Sequence, residues 1–217
     1  MPFITTYAPT RVAVAEKLLE IEAIKLNDKT PFIWSSGWKS PIYCDNRLTL
    51  SFPSLRTYIK EALVAAIRHH WEDAELIAGV ATAGIPQGAL VADALNLPYV
   101  YVRPKPKEHG MGNQIEGKVE KGKKVILVED LISTGGSSLK AAEALQAAGF
   151  MVLGMVAIFT YGFEVAEQNF AQAKIPVVCL SDFHHLLPVA VQKKYLNEGQ
   201  LAHIKTWRQD PARWQPI

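Results

Sequence analysis

Short apolar runs and amphipathic helical segments alternate along the centre of this sequence, and this alternation limits the folds open to it. Five runs of mostly aliphatic or aromatic residues have the length of strands, at 76–80, 99–102, 125–128, 151–160 and 177–180. Segments with apolar residues at helical spacing lie before or between them, at 53–70, 85–95, 139–149 and 163–173. Strands that alternate with helices form a parallel sheet, because each right-handed crossover returns the chain in the same direction. The sequence therefore predicts an α/β fold, a parallel sheet flanked by helices.

The two ends of the sequence do not continue this alternation. Residues 12–26 carry a helical stripe, the chain up to residue 50 is then irregular and rich in aromatic side chains, and residues 181–217 contain short helical pieces. Neither end is long enough to fold alone. We therefore predict a single domain over 1–217, with a core at about 51–180. A small hood, formed by about 1–50 together with the C-terminal flank, is expected over one edge of the sheet.

The composition argues against several classes of partner. A formal net charge of +2 over 217 residues is too small for nucleic acid or an anionic membrane to be the main partner. No run approaches the ~18 apolar residues of a membrane span, and the N-terminus lacks the features of a secretory signal. Cys44 and Cys179 are too far apart for a disulfide framework or a metal motif, although one bridge between them remains open. We expect a protein of the reduced cytoplasm.

The strongest chemical pattern lies at 125–138. Two carboxylates, Glu129 and Asp130, follow an apolar run where the strand is predicted to end. A turn rich in hydroxyl groups and glycine, 133–138, then leads into a helix. Backbone N–H groups at a helix start bind phosphate, and carboxylates at the carboxyl edge of a sheet suit ribose hydroxyls or a metal ion on them. The alternative is a polar strand end with an ordinary serine cap, but the whole pattern favours a site for a phosphorylated sugar.

Two further segments are compatible with such a site. Residues 79–86 run from a strand through a glycine-rich turn into a helix, which is also explained as a tight connection. Residues 103–117 hold three cations, a histidine, two prolines and three glycines. A solvated basic loop is the usual explanation of such a run. This loop, however, is long for a connection between a strand and a helix, and long loops in compact domains are frequently lids. A cationic lid there would neutralise negative charge on a leaving group.

The strand, acidic pair and phosphate turn together resemble the signature of the type I phosphoribosyltransferases, which bind phosphoribosyl pyrophosphate. The resemblance implies that Glu129 and Asp130 contact the ribose hydroxyls and that the turn holds the 5-phosphate. It also implies that the earlier glycine-rich turn binds pyrophosphate at Ala81 and Thr82, where the family often has a cis peptide bond. The phosphoribosyl pyrophosphate contacts implied within the signature are Glu129, Asp130, Leu131, Ile132, Ser133, Thr134, Gly135, Gly136 and Ser137. The implied cofactor is Mg²⁺.

The cationic segment resembles the catalytic loop of the orotate phosphoribosyltransferases. The pattern Arg-x-x-x-Lys-x-His-Gly stands at Arg103, Lys107, His109 and Gly110. The resemblance implies that the arginine, lysine and histidine contact phosphoribosyl pyrophosphate and are catalytic together with Asp130. It implies a homodimer in which this loop reaches across the interface to complete the neighbouring site. Many members have a lysine directly after the arginine, where this chain has Pro104 followed by Lys105.

The hood segment 35–47 is similar to the Ser-Gly-x-x-Ser-Pro segment with which the same family covers the orotate ring. This similarity implies that Tyr43 and Cys44 lie over the base, with Ser133 as a further orotate contact. The chain departs from the family in two places. Ser35 stands where many members have a lysine, and the arginine that some members place after the strand following the signature is absent.

The resemblance predicts the transfer of a phosphoribosyl group to orotate, which gives orotidine 5-phosphate and pyrophosphate in pyrimidine biosynthesis. Two alternatives remain open. A purine phosphoribosyltransferase shares the signature but lacks this combination of lid and hood. A non-catalytic regulator that senses phosphoribosyl pyrophosphate needs a DNA-binding domain or a basic face, which neither the length nor the net charge of +2 supplies.

Overall fold

The structure is a computed structural model that describes residues 2–34, 37–105 and 114–216. The strands in these ranges are β1 (Ile4–Thr6), β2 (Ile24–Leu26), β3 (Phe32–Ile33), β4 (Lys39–Ser40), β5 (Ile42–Cys44), β6 (Leu76–Val80), β7 (Tyr99–Val102), β8 (Ile115–Glu116), β9 (Lys124–Ile132), β10 (Met151–Thr160) and β11 (Val177–Asp182). The helices are α1 (Arg11–Glu20), a 3₁₀ helix (Asn46–Ser51), α2 (Pro53–His70), α3 (Gly84–Leu95), α4 (Gly136–Ala147), α5 (Glu164–Ala173), α6 (Phe183–Gln192) and α7 (Glu198–Gln209).

A seven-stranded sheet in the order β1-β11-β10-β9-β6-β7-β8 forms the centre of the fold. Neighbouring strands are parallel except β7 and β8. On β9, Ile126 and Val128 belong to one buried cluster, whereas Val125 and Leu127 belong to another. Side chains alternate across a strand, so the first cluster lies under α1, α2, α6 and α7 and the second under α4 and α5, on the opposite face. The predicted parallel sheet flanked by helices is confirmed.

The central strand β9 is longer than predicted. Its apolar run ends at Val128, but the strand continues to Ile132, so the prediction that it ends before the acidic pair was wrong. Pairing with β6 stops at Val128, which is opposite Gly79, whereas pairing with β10 reaches Ile132. The two carboxylates therefore lie on a stretch of β9 that has a neighbouring strand on one side only, at the carboxyl edge of the sheet.

The predicted helix over 12–26 was wrong beyond Glu20, where α1 ends. Glu22 adopts a left-handed φ of 56°, which turns the chain out of the helix. Ile24 and Leu26, which had extended the helical stripe, belong to β2 and pair antiparallel with β5. Two apolar residues that are two positions apart fit one face of a strand as well as they fit an imperfect helical stripe. Pairing with β5 places these two residues in a strand.

The N-terminal flank also extends the main sheet, which the hood prediction did not anticipate. Strand β1 pairs in parallel with β11, with Ile4 opposite Val177. Glu167 of α5 accepts a hydrogen bond from the main-chain N–H of Ile4 at 2.8 Å. The first residues of the chain thus form an edge strand that is attached to both the sheet and a helix beneath it.

The two flanks meet in an aromatic cluster. The Trp34 ring lies 5.5 Å from that of Trp207 on α7 and 4.9 Å from that of Tyr161, which follows β10. The cluster brings both flanks to the carboxyl end of β10.

Cys44 and Cys179 are both free thiols, so the bridge left open by the sequence does not form. Within the described ranges, no helix has the length and apolar character needed to cross a membrane.

Candidate active site

A pair of carboxyl groups, Glu129 buried and Asp130 half-buried, lies at the carboxyl edge of the sheet. Glu129 is 6% exposed, and its two oxygens accept hydrogen bonds from the main-chain N–H of Asp130 and from Ser138 Oγ, both at 3.0 Å. Burial, reinforced by the neighbouring Asp130, raises the pKa of Glu129 well above its usual range. Burial also raises the pKa of Asp130. A positive charge or a hydrogen-bond donor close to these two carboxyl groups would therefore stabilise their charged forms.

The turn after β9 leads into a helix start that no side chain caps. Gly135 adopts a φ of +82°, and α4 begins at Gly136 without a side-chain hydrogen bond to its first turn. Gly136 and Ser137 are exposed, and apart from the adjoining chain no atom of the described residues lies within 4 Å of the place where a Cβ on Gly136 would stand. Ser133 and Thr134 are half-buried just before them. The N–H groups of the first turn are therefore open to an anion, which the helix dipole also favours.

Helix α5 supports this turn from below. Asn169 Nδ2 donates to the main-chain oxygen of Thr134 at 3.1 Å. A Cβ on Gly135 would lie 2.7 Å from the Phe170 ring, so the turn rests directly on that side chain. Two contacts from one helix hence fix the backbone that presents the N–H groups.

The glycine-rich turn after β6 lies against the same region of β9. The peptide bond between Ala81 and Thr82 is cis. The Ala81 N–H donates to the main-chain oxygen of Val102 at 3.0 Å, and Thr82 is exposed. A Cβ on Gly84 would lie 2.3 Å from the Val128 carbonyl oxygen. The absence of a side chain at Gly84 allows this turn to approach the acidic pair.

Arg103 begins the predicted lid directly after β7. Strands β7 and β8 form an antiparallel hairpin, so the segment connects two strands and not a strand and a helix. Main-chain and side-chain bonds between Arg103 and Gln114, at 2.8 and 3.0 Å, close its base. Arg103 Nη1 is buried and has no hydrogen-bond partner among the described residues, although it forms an ion pair with Glu116 Oε1 at 3.8 Å. Lys107 and His109 lie outside the described residues, as does the Ser35–Ser36 pair of the hood segment.

The predicted base contacts Tyr43 and Cys44 lie on β5. Tyr43 is 40% exposed, and its ring centroid is 5.6 Å from that of Phe32. Cys44 Sγ donates to Asn46 Oδ1 at 3.4 Å. Burial and then the nearby Asp130 raise the pKa of the Cys44 thiol. Both causes disfavour the charged thiolate, so Cys44 stays neutral. The contribution of Asp130 also means that the thiol lies within electrostatic reach of the acidic pair.

Sequence reasoning missed several residues that the structure brings to this edge. Ser138 lay inside the recognised signature, and its hydroxyl position nine residues after Glu129 was the available signal. Asn46 donates to the Asp130 main-chain oxygen at 2.6 Å, across 84 residues. Tyr161 stands just after β10, and burial raises the pKa of its hydroxyl, with Cys44 and Asp130 adding to the shift. Asn46 lay inside the hood segment 35–47 but outside its Ser-Gly-x-x-Ser-Pro pattern, and no local pattern points to Tyr161.

Comparison with known proteins agrees with this geometry. The family model described as a phosphoribosyl transferase domain matches residues 54–193. An orotate phosphoribosyltransferase of Cytophaga hutchinsonii is 59% identical over 202 residues, which cover 93% of this chain and 97% of that protein. One from Bacteroides fragilis is 57% identical over 201 residues, covering 93% and 95% of the two chains.

A solved structure shares the fold. The crystal structure of orotate phosphoribosyltransferase from Aeropyrum pernix superposes with a TM-score of 0.73 at 28% identity, over 85% of this chain and 99% of that chain. Sequence and structure therefore agree on a type I phosphoribosyltransferase fold. The chain belongs to the orotate phosphoribosyltransferase family.

Proposed function

We propose that this chain transfers the 5-phosphoribosyl group from phosphoribosyl pyrophosphate to orotate, which gives orotidine 5-phosphate and pyrophosphate in the synthesis of UMP. The observation that carries the proposal is one strand–turn–helix unit that holds both an acidic pair, with Glu129 buried and Asp130 half-buried, and an uncapped helix start. It occurs in a chain that is 59% identical to an orotate phosphoribosyltransferase. The acidic pair suits a ribose ring, and the helix start suits its 5-phosphate.

The acidic pair has a clear role in such a reaction. Displacement of pyrophosphate from the anomeric carbon passes through an oxocarbenium-like state with positive charge on the ribose. Glu129 and Asp130, whose pKa values are raised by burial, gain most from a neighbouring positive charge or from hydroxyl donors. They would bind the ribose hydroxyls and stabilise the transition state more than the ground state.

The leaving group carries the opposite charge. The turn at Ala81 and Thr82 lies beside β9 and would bind pyrophosphate through main-chain N–H groups. Arg103, whose Nη1 has no hydrogen-bond partner in the described part of the chain, would meet the charge that develops on the leaving oxygens. Lys107 and His109 of the lid would complete this set, and a protonated His109 is able to donate its proton to pyrophosphate.

The base would lie between the hood and the start of the phosphate turn. Tyr43, the neutral thiol of Cys44 and the Ser133 hydroxyl offer an aromatic face and uncharged hydrogen-bonding groups there. Orotate needs little activation, because its ring N–H is already acidic. These groups would therefore position the nitrogen nucleophile and exclude water from the ribose.

We also propose Mg²⁺ as the cofactor. The described ranges hold no cluster of three or more His, Cys, Asp or Glu side chains suited to a metal ion. The Glu129–Asp130 pair supplies two hard oxygen donors beside the expected ribose hydroxyls, and this fits an ion held largely by substrate oxygens. When bound, Mg²⁺ neutralises charge on pyrophosphate. A homodimer whose lids cross the interface, and a cytoplasmic location, belong to the same proposal.

The test is the loss of orotate absorbance with phosphoribosyl pyrophosphate and Mg²⁺. Adenine, hypoxanthine and uracil serve as alternative acceptors under the same conditions. Turnover with orotate at a kcat/KM at least 100-fold above that for each other base is expected. Preferred use of a purine would contradict the proposal, and binding of phosphoribosyl pyrophosphate without turnover of any base would indicate a sensor.

A further inference from the structure

One buried side chain connects the predicted base segment to the strand that carries the acidic pair. Asn46 opens the 3₁₀ helix after β5 and is 1% exposed. Its Nδ2 donates to the main-chain oxygen of Asp130 at 2.6 Å, and its Oδ1 accepts from Cys44 Sγ at 3.4 Å. A carbonyl oxygen accepts only, so the amide nitrogen must face Asp130 and the amide oxygen must face the thiol. Both ends of the Asn46 amide are therefore committed.

A second layer holds Asn46 in place. Thr49 Oγ1 donates to the main-chain oxygen of Asn46 at 2.7 Å and accepts from Gln87 Nε2 at 3.1 Å. Thr49 and Gln87 are 0% and 1% exposed. Gln87 belongs to α3, the helix that follows the proposed pyrophosphate turn. The chain from Gln87 through Thr49 and Asn46 to Asp130 thus joins three separate parts of the site.

The location of this network gives it a mechanical consequence. Buried polar groups that are bonded to one another are costly to separate, so the network fixes the relative positions of the segments that it joins. The reaction requires the base nitrogen and the anomeric carbon to be held about 3–3.5 Å apart and in line. The base side of that pair rests on the segment with Cys44, and the ribose side rests on Asp130.

We propose that Asn46 is a positioning residue, which aligns the base with the ribose by tying the Cys44 segment to the main chain at Asp130. This role rests on the proposed function, because it takes Cys44 as a base contact and Asp130 as a ribose contact. Because both ends of its amide are bonded to protein groups, the proposal assigns Asn46 no substrate contact. Its loss should therefore disturb the alignment in the transition state more than the binding of either substrate alone.

The test compares Asn46→Ala with wild type in steady-state kinetics, with sites counted by calorimetric titration with orotidine 5-phosphate. We expect kcat per competent site to fall at least tenfold, while KM for orotate and for phosphoribosyl pyrophosphate each change less than about threefold. Counting sites separates this result from a loss of folded protein. Thr49→Val, which keeps the side-chain shape and removes the hydroxyl that supports Asn46, should lower kcat about three- to fivefold in the same way.

Ser181→Ala is the matched control. Ser181 is 0% exposed and donates to the main-chain oxygen of Arg11 at 2.6 Å, on the far side of β10 from Asp130. Ser181→Ala should retain kcat within about twofold of wild type, although it loses about as much thermal stability as Asn46→Ala. An Asn46→Ala kcat within twofold of wild type overturns the proposal, as does an equal loss in the control or a tenfold rise in either KM at constant kcat.

The outcomes also separate this role from the proposed function. A wild-type chain that leaves orotate unconsumed refutes the function and this role with it, whereas an active wild type with an unaffected Asn46→Ala refutes the role alone. If Asn46→Ala does not fold, Thr49→Val decides, and an unchanged kcat in that variant overturns the proposal.

Discussion

The close approach of α3 to β9 gives the most direct quantitative prediction. In Gly84→Ala, the new Cβ would lie 2.3 Å from the Val128 carbonyl oxygen, whereas ordinary contacts begin near 3.4 Å. The turn before α3 must therefore move by about 1 Å. Overpacking of this kind costs about 1–3 kcal/mol, and alanine returns about 0.5–1 kcal/mol of backbone entropy. The difference is a net loss of up to about 2.5 kcal/mol, which corresponds to a fall of up to roughly 10 °C in the unfolding midpoint for a chain of this size.

The effect on turnover should be larger than the effect on stability. The displaced turn carries Ala81 and Thr82 next to the acidic pair, and a misplacement of about 1 Å at a reacting centre costs about 10²-fold in rate. Initial rates of orotate loss and thermal unfolding by circular dichroism measure the two quantities. Gly199→Ala on α7 is the control, because the nearest atom that its Cβ would meet outside the adjoining helix backbone, among the described residues, is Asn197 Oδ1 at an ordinary 3.4 Å. A Gly84→Ala rate within threefold of wild type would refute the claim that this contact sets the site geometry.

Three further predictions address other parts of the site. Asn169→Ala should raise KM for phosphoribosyl pyrophosphate about tenfold and leave KM for orotate within about twofold, because it releases the turn that presents N–H groups to phosphate. Gln168→Ala on the same helix is the control, and equal KM values in the two variants would contradict the support of the turn by Asn169. Lys107→Ala should lower kcat by about 10²-fold or more with little change in orotate affinity, and a comparable loss in both would remove this residue from the lid. Glu129→Gln should abolish turnover yet raise the unfolding midpoint at pH 7. The folded protein keeps the Glu129 proton at pH values where the unfolded chain has lost it. In wild type this group therefore lowers the free energy of unfolding as pH rises above its ordinary pKa of 4.5, and the unfolding midpoint of the variant should depend less on pH. A midpoint at pH 7 that falls in Glu129→Gln would reverse this sign.

The strands with continuous apolar runs were predictable from sequence because most of their residues are buried or half-buried on both faces. Strands β6, β7 and β10 begin and end with those runs. The end of β9 was not predictable in this way, since its last residues include two carboxylates and are kept in the sheet by pairing with β10. The turn at Glu22 was equally hidden, because a non-glycine residue with positive φ leaves no mark on the apolar pattern.

The site residues likewise divide into those that the sequence could identify and those that it could not. Glu129, Asp130 and the phosphate turn are contiguous in sequence, so their chemistry could be recognised together. Asn46 and Asn169 act through hydrogen bonds to main-chain atoms 84 and 35 residues away. A main-chain oxygen has no sequence identity, so no pairing of residue types predicts such contacts. Only the fold, which brings the segments together, identifies these two residues.

The edge strand β1 has a consequence for how the chain folds. Ile4 pairs with Val177, so β1 lies far along the chain from β11, the strand with which it pairs. Closing a loop of that length is slow compared with forming local contacts, and the pairing cannot begin during synthesis until β11 has emerged from the ribosome. Until then β1 presents unpaired N–H and C=O groups to other chains. Folding yield at high expression should therefore depend on this strand more than its three residues suggest.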